Sequence, residues 1–544
     1  MKTWLVTRHS GAVFWARDAG IQVSDRGIVA SLDPALLNAG DQVIGTLPIN
    51  IAAEVIRRGA TYCHLALELP AEARGKELSP EEMRLYGAKL ENYHIEILNS
   101  PQSRAVHDGT ASSVMLVITS GQSLPNLLPL LAMESPVAHL FLAVSSSPEA
   151  KVSAAKIQAV AVLLGLPVTL FDATPSAPLG AVQNFAQDCY AKIRVAAPDA
   201  RIILNATGGT KMMSSAFASA LGPAGEVIYC DTANDCIEYF IPQGRAALPL
   251  PPDLTSLEVY LLAQGQEIVE CASSGDGWME TAQERSELTR YLATLLAGVD
   301  PKKIEDYIGE LNRIAYEALP HATGNNKKTS WTPVQAQKWR NYKVDQLIEK
   351  LGLWCKVDDK TIEFRDEAAA AYLKGGWLEE YAALTMIDLG VARSHWGVGV
   401  KIAPIGAAIP VSKDKNGSLN ELDLAIVWRN RLLVIECKTG QQLGKESQEI
   451  LNKIEAIRSY AAGSFGTGWL LSARHVAKDA VTLQRAKEYR IDIFEREATA
   501  AIGQRIARWM KLPMDVNSLK FLEENEMKCK RRDAAHVAAL QPAV

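Results

Sequence analysis

The sequence predicts an α/β protein made of several units in a row, and three observations carry that prediction. Short apolar runs of the strand type alternate with helical periods from the N-terminus to about residue 250. Polar and glycine residues collect where those runs end, the place where open α/β sheets put their ligands. Far down the chain, Asn420–Gly440 reads as two apolar strands joined by a short polar turn, with carboxylates and a lysine at the strand ends. The expected organisation is an α/β unit over residues 1–98, a polar linker over 99–113 and a second α/β unit over 114–250. A mostly helical connector over 251–358, a third α/β unit over 359–512 and a tail over 513–544 complete it.

Chain totals narrow the function classes. A chain of 544 residues is long enough for three or four domains. Its net charge of −5 excludes a polyanion-binding surface spread over the whole molecule. A basic surface has to be local, and Lys528–Arg532 is one candidate. The eight cysteines show no paired spacing, which speaks against a zinc site or a disulfide framework and for reduced thiols. No stretch approaches 18 apolar residues and the N-terminus lacks a basic-then-apolar signal, so a cytoplasmic protein without a membrane span is expected.

In the first unit, strands are predicted at Thr3–Thr7, Gln42–Gly45 and His64–Leu67. Helices are predicted at Ala12–Ala19, up to Arg58, and at Leu85–Leu90. Arg8 and His9 stand at the turn that ends the first strand, where a helix N-terminus favours an anion. Thr46, Asn50 and Arg74 fall on neighbouring turns. The stretches Trp4–Gly11, Asp25-Arg26, Gly45–Asn50 and Arg74–Ser79 together resemble a small CRISPR-associated family of stand-alone ring nucleases. That resemblance implies cleavage of a cyclic oligoadenylate without a metal, through Arg8, His9, Thr46, Asn50 and Arg74. It does not say which of them performs the chemistry. An Arg or His at the scissile phosphate would stabilise charge while the neighbouring ribose 2′-hydroxyl attacks in line.

In the second unit, strands are predicted at Val114–Thr119, Leu140–Val144, Pro167–Phe171 and Arg201–Leu204. Pro148 opens a helix that ends near Gly165, and further helices cover Ala181–Arg194 and Met212–Leu221. Asn205, Ala206, Thr207, Gly208, Gly209, Thr210 and Lys211 form the most informative loop. Adjacent glycines let backbone N–H groups approach an anion, and a helix N-terminus with a lysine adds to the field. It is not a Walker loop, because the glycines are adjacent and Met212 follows the lysine. With Ser120, Gly121 and Gln122 after the first strand and Ser146 after the second, this loop resembles the CARF domain, a Rossmann-like sensor of cyclic oligoadenylates. The resemblance implies a homodimer that holds one ring ligand, cyclic tetra-adenylate in the first instance, across its two-fold axis.

In the third unit, Glu436 and Lys438 lie two apart on a strand and so share a face, and pairing across the turn brings Asp423 beside them. Two carboxylates and a lysine on apolar strands are costly unless something binds there, and a hard divalent cation fits oxygen ligands. Lys438 would then orient or deprotonate a water, or steady a phosphate. This pattern resembles the PD-(D/E)XK nucleases, with Leu422 where that family has a proline. A further Glu is expected on a preceding helix. Gly375–Tyr381 opens a helix running to about Leu389, with Glu379 as the choice and Glu380 as the alternative. Helix Glu446–Ala462, strand Gly468–Ser472, helix His475–Tyr489 and strand Ile491–Phe494 should follow. The metal ligands implied are Glu379, Asp423 and Glu436, with Mg or Mn as the ion.

The sensor followed by the nuclease resembles the cyclic-oligoadenylate-activated nucleases of type III CRISPR systems, which cut DNA, RNA or both. The whole is then two Rossmann-like α/β domains, a helical connector and a restriction-endonuclease-like α/β domain. Two other readings stand beside it. One is a restriction- or repair-like nuclease gated by another nucleotide. The other is a ligand-gated regulator that binds nucleic acid without cutting.

Overall fold

In a computed structural model the chain is mixed α/β, with parallel-rich sheets flanked by helices. The structure describes residues 2–7, 9–21, 23–24, 27–29, 32, 37, 40–47, 51–52, 55–56, 58, 60–67, 78–92, 112–133, 136–222, 225–298, 301–319, 321–323, 326–328, 334–335, 341–358, 361–407, 420–440, 445–476 and 480–527. Arg8, Asp25, Arg26, Asn50, Arg74 and Lys528–Arg532 lie outside the described residues. Contacts divide the chain into two compact units, Met1–Asp108 and Gly109–Val544. No helix among the described residues is long and apolar enough to cross a membrane.

The first unit is a five-stranded sheet: β1 Thr3–Val6, β2 Ile28–Val29, β3 Gln42–Gly45, β4 Thr61–Ala66 and β5 Lys89–Asn92, in the order β2-β1-β3-β4-β5. Alternation sorts its side chains onto two faces. Trp4, Val43 and Tyr62 pack on one, and Leu5, Ile44 and Cys63 on the other. Helix α1 (Ser10–Asp18) follows β1. The expected helix at Leu85–Leu90 is corrected. Helix α2 is Pro80–Leu85, started by a capping box of Ser79 and Glu82. Gly87, at φ +69°, ends it, and residues 89–92 become an edge strand antiparallel to β4. Leu90 reads equally well as the last apolar position of a helix and as the strand partner of Leu65.

The second unit opens with a seven-stranded sheet. Its strands are β6 Ser113–Ile118, β7 Val137–Ser145, β8 Val168–Thr174, β9 Arg201–Asn205, β10 Glu226–Asp231, β11 Cys236–Ile241 and β12 Leu248–Pro249, in the order β12-β11-β10-β9-β6-β7-β8. Strands β10, β9, β6, β7 and β8 run parallel. Helices α3 (Leu124–Ala132), α4 (Pro148–Leu163), α5 (Leu179–Ala196) and α6 (Lys211–Leu221) cover it. The central strand β6 has β7 on one side and β9 on the other, so the chain leaves it in two directions and a crevice opens at the carboxyl ends. Helix α3 and strands β10 to β12 were not predicted. Pro125 and Pro129 mask the helical signal of α3, although a proline in the first turn is compatible with a helix.

Helix α7 (Leu257–Gln264) and strand β13 (Gln266–Cys271) follow, within the stretch expected to be a connector. β13 joins the last sheet, pairing with β19 (Trp396–Pro404). That six-stranded sheet runs β13-β19-β20-β21-β22-β23, with β20 Asn420–Trp428, β21 Arg431–Lys438, β22 Gly466–Ser472 and β23 Ile491–Glu495. Helices α8 (Asp276–Glu284), α9 (Ser286–Leu295), α10 (Pro301–Ala318) and α11 (Tyr342–Lys350) lie between. Strand pairs β14-β15 (His321–Thr323, Asn326–Lys328) and a small sheet of β16 Val334–Gln335, β18 Thr361–Phe364 and β17 Trp354–Lys356 accompany them. Around the last sheet stand α12 (Trp377–Asp388), α13 (Lys445–Ala462), α14 (Ala480–Tyr489) and α15 (Ile502–Met510). A final helix covers 516–527.

One apolar core is continuous from the seven-stranded sheet into the six-stranded one. Leu142 and Ile157 belong to the same cluster as Tyr260, Leu422 and Val434. At roughly 1.5–3 kcal/mol for each large apolar side chain removed from water, burial on this scale outweighs any surface ion pair between the two sheets.

Candidate active site

The hairpin turn at Arg429 and Asn430 has φ of 49° and 57°, the left-handed geometry whose twist matches a two-residue connection. This fixes the register of β20 and β21 and sets Asp423 next to the end of β21. The Cys437 N–H donates to Asp423 Oδ2 at 2.8 Å. Lys438 Nζ lies 2.6 Å from Glu436 Oε1, 3.5 Å from Asp423 Oδ2 and 3.0 Å from the Cys437 carbonyl. A second lysine, Lys453 on α13, donates to the same Glu436 Oε1 at 2.6 Å. The Glu436 side chain is only 1% exposed. Lys453 had no motif to reveal it. It lies 15 residues beyond Lys438, and only the docking of α13 on β21 brings it in.

Glu379 and Glu380 part company. A π-turn over Tyr372–Gly376 precedes α12, and Thr439 ties it to the hairpin by donating to the Lys374 carbonyl at 2.8 Å. Burial, and then the charges of Asp423, Glu421 and Glu436, push the Glu379 carboxyl up to about 8 against the pull of Lys438. Glu380 points instead to Arg285, which bonds it directly. Burial raises Glu380 to about 7 despite that guanidinium. Glu379 is therefore the one of the pair that shares an electrostatic field with Asp423, Glu436 and Lys438.

Asp423 is also held above the ordinary carboxylate range, by burial first and the Glu436 charge second. Burial alone would push the Lys438 ammonium down, but Asp423 and Glu436 reverse this and keep it high. An ammonium so held stays charged at neutral pH. It can orient a water or neutralise a phosphate but is not a base as it stands.

As the side chains stand, no three Asp, Glu, His or Cys groups among the described residues are gathered closely enough to hold a metal ion. The oxygen at the heart of the cluster is bonded by ammonium groups instead. The donor chemistry nevertheless fits a hard divalent cation. Glu379, Asp423 and Glu436 offer carboxylate oxygens only, and the first two carry raised pKa values through burial first and the neighbouring carboxylate charges second, a repulsion a cation would relieve.

At the seven-stranded sheet the polar side chains of the glycine loop turn inward. Asn205 is fully buried; its Nδ2 donates to the Asn126 carbonyl at 3.0 Å and its Oδ1 accepts from the Thr207 N–H and hydroxyl. The Thr207 hydroxyl accepts in turn from the Cys230 N–H at 2.8 Å. Thr210 caps α6 through the Met213 N–H at 3.2 Å. Gly208 is obligatory, because a Cβ there would fall 1.9 Å from the Ile118 carbonyl oxygen. Gly209 has φ +79°. Asn205, Thr207, Gly208 and Gly209 thus shape the loop. Gly121, Gln122, Ser146 and Lys211 are exposed at the carboxyl ends of adjacent strands β7, β6 and β9, with Ser120 half-buried beside them.

The two sheets touch at the β20–β21 hairpin itself. Arg429 pairs with Asp235 of the β10–β11 turn at 3.1 Å, and Thr255 donates to Asn430 Oδ1 at 2.6 Å in a buried contact. A second route runs through helices. α4 starts directly behind Ser146 and Ser147 and packs on α7; α7 packs on α13, where the Tyr260 hydroxyl donates to the Ala462 carbonyl.

In the first unit His9 is exposed at the start of α1, its N–H donating to Thr7 Oγ1 at 3.0 Å. Thr46 stands exposed at the end of the adjacent strand β3, its hydroxyl donating to the Leu65 carbonyl at 3.0 Å. A neighbouring pair escaped prediction: the Tyr62 hydroxyl lies 2.8 Å from His64 Nδ1 and accepts from the Leu47 N–H at 3.0 Å.

No curated protein matches the chain. Among solved structures, protein VC1899 from Vibrio cholerae aligns with a TM-score of 0.58 at 16% identity, over 73% of this chain and 98% of its own. Can2 from Sulfobacillus thermosulfidooxidans, in complex with cyclic tetra-adenylate, aligns with a TM-score of 0.52 at 19% identity, over 73% of this chain and 99% of its own. At these identities the likeness is one of fold. Residues 4–96 match the family model of a CRISPR-associated protein, Cas_VVA1548, and residues 366–513 match that of the Card1-like endonuclease domain. The chain thus joins an N-terminal region similar to the CRISPR-associated Cas_VVA1548 family to a C-terminal region similar to the Card1-like endonuclease domain.

Proposed function

We propose that this protein is a type III CRISPR accessory nuclease that cuts DNA or RNA when a cyclic oligoadenylate binds its sensor sheet. The observation that carries this is the cluster of Asp423, Glu436 and Lys438 at the carboxyl end of β21, inside the stretch that matches an endonuclease domain. The PD-(D/E)XK assignment rests on the spacing of those residues and on Glu379 in their field. Glu379, Asp423 and Glu436 would hold Mg or Mn, which supplies charge for the phosphate and a more acidic water. Lys438, fixed by three acceptors, orients the attacking water while its oxygen bonds to phosphorus and the bridging oxygen leaves.

The fold likeness to Can2, whose structure holds cyclic tetra-adenylate, makes that ring the first activator to test. Gly121, Gln122, Ser146 and Lys211 would meet it, with two copies of the sensor sheet sharing one ring. The N-terminal unit would limit each burst by opening the ring. There the 2′-hydroxyl oxygen bonds to phosphorus and the 5′-oxygen leaves, with Arg8, His9, Thr46, Asn50 and Arg74 around the phosphate.

The test incubates the protein with plasmid, single-stranded DNA and RNA, with Mn²⁺ or Mg²⁺ and cyclic tetra-adenylate each present or absent. Cutting that needs both metal and ring is expected. Cutting without the ring would overturn the sensor reading, and retarded but intact nucleic acid would overturn the nuclease. Chromatography of the ring over time tests the first unit: linearisation should persist in EDTA and slow in His9→Ala.

A further inference from the structure

We propose that Lys453 is a phosphate-binding residue of the nuclease centre, held on Glu436 until a cation takes its place and then turned onto the nucleic-acid backbone. The inference deepens the nuclease reading above and rests on it. Glu436 Oε1 carries two ammonium groups, each at 2.6 Å, although one suffices to pair one carboxylate. The two lysines are not equivalent. Lys438 is bound by Glu436, Asp423 and the Cys437 carbonyl, and its side chain is 30% exposed. Lys453 has Glu436 as its one hydrogen-bond partner among the described residues, its charge also acts on Asp423, and its side chain is 45% exposed.

Charge accounting says what happens when a cation arrives. Asp423 and Glu436 are matched by Lys438 and Lys453 as the site stands. A divalent cation on the three carboxylates Glu379, Asp423 and Glu436 leaves one positive charge in surplus beside a buried centre once both lysines are counted, and a phosphodiester anion is the chemistry that surplus recruits. The lysine with one bond to lose and the greater access to solvent is the one that moves. Lys453 also sits on a flexible four-carbon stem, on a helix flank that needs no backbone change to reach outward. Its role is that of a point charge on a non-bridging phosphate oxygen, common to DNA and RNA.

The experiment uses the full-length protein with cyclic tetra-adenylate and a labelled single-stranded DNA, comparing wild type, Lys453→Ala, Lys453→Arg and Glu436→Ala. Binding is measured against salt concentration, once in EDTA and once in Ca²⁺. In EDTA, wild type and Lys453→Ala should share one salt slope, because Lys453 is engaged with Glu436. In Ca²⁺ the wild-type slope should exceed that of Lys453→Ala by about 0.7, the value for one single-strand phosphate contact. Lys453→Arg should retain the steeper slope. The Mn²⁺ concentration that half-stabilises the protein against heat should stay the same or fall in Lys453→Ala, since a competitor for Glu436 has gone. Equal slopes in Ca²⁺, or a higher Mn²⁺ midpoint in Lys453→Ala, would overturn the proposal and make Lys453 a prop for Glu436. Lys453→Gln, close to lysine in length, replaces alanine if alanine lowers Tm. Wild-type cutting by Glu436→Ala would instead overturn the nuclease reading itself.

Discussion

The β20–β21 hairpin and the glycine loop of the seven-stranded sheet both gather polar side chains at strand ends, yet they use them in opposite ways. At the hairpin, Asp423, Glu436 and Glu379 share one electrostatic field, and burial and like charge push Glu379 and Asp423 upward. At the loop, Asn205 and Thr207 spend their hydrogen bonds on Asn126, Cys230 and each other. The first arrangement is poor as structure and good as chemistry. The second is good as structure, and what a ligand meets is the surface it supports. The lesson is to ask of a polar residue at a strand end whether its partners are already in the fold.

Breaking the first side of this comparison should have the largest effect. Asp423→Ala and Glu436→Ala should each lower cutting by more than ~100-fold, since a lost oxygen ligand displaces the metal. Calorimetry should find cyclic tetra-adenylate binding unchanged in both. Retained cutting in Glu436→Ala would dissolve the contrast.

Breaking the second side should unsettle the fold before it unsettles chemistry. Gly208→Val drives a side chain into the Ile118 carbonyl and should abolish ring binding together with a clear fall in Tm. Asn205→Ala leaves buried partners unpaired and should cost ~1–3 kcal/mol of stability, read by urea unfolding. An Asn205→Ala protein with weaker ring binding and unaltered stability would show that Asn205 meets the ligand after all.

Lys211 sharpens the comparison, because it belongs to the loop by sequence but is exposed. Lys211→Ala should raise the ring concentration needed for cutting by ~10-fold at unchanged Tm, the size of one charge-assisted contact. The smallest effect is expected where the two regions meet. Arg429 has φ of 49°, which glycine adopts without strain, so Arg429→Gly removes the ion pair to Asp235 while sparing the turn. Its stability should change by less than ~1 kcal/mol, as for a half-exposed pair. The ratio of cutting with and without the ring should fall by up to ~5-fold if this contact helps couple sensor to hairpin.

What the sequence by itself determined is local. Short apolar runs placed β1, β3 and β4 of the first sheet and β6 to β9 of the second, and Pro148 and the Arg429–Asn430 turn marked boundaries that depend on a few neighbouring dihedrals. Glu436 and Lys438 share a face because side chains in a strand repeat every two residues, and no tertiary knowledge is needed for that. What only the tertiary structure decided is distance between segments. Lys453 reaches Glu436 because α13 docks on β21, and Arg285 claims Glu380 because α8 and α9 pack beside α12. Leu85–Leu90 split into the end of a helix and an edge strand because Leu65 offered a partner. β13 left its helical surroundings to extend a sheet whose next strand, β19, begins 125 residues after β13 ends. Periodicity shows which face of an element is apolar, but which other element covers that face is settled by packing of the whole chain.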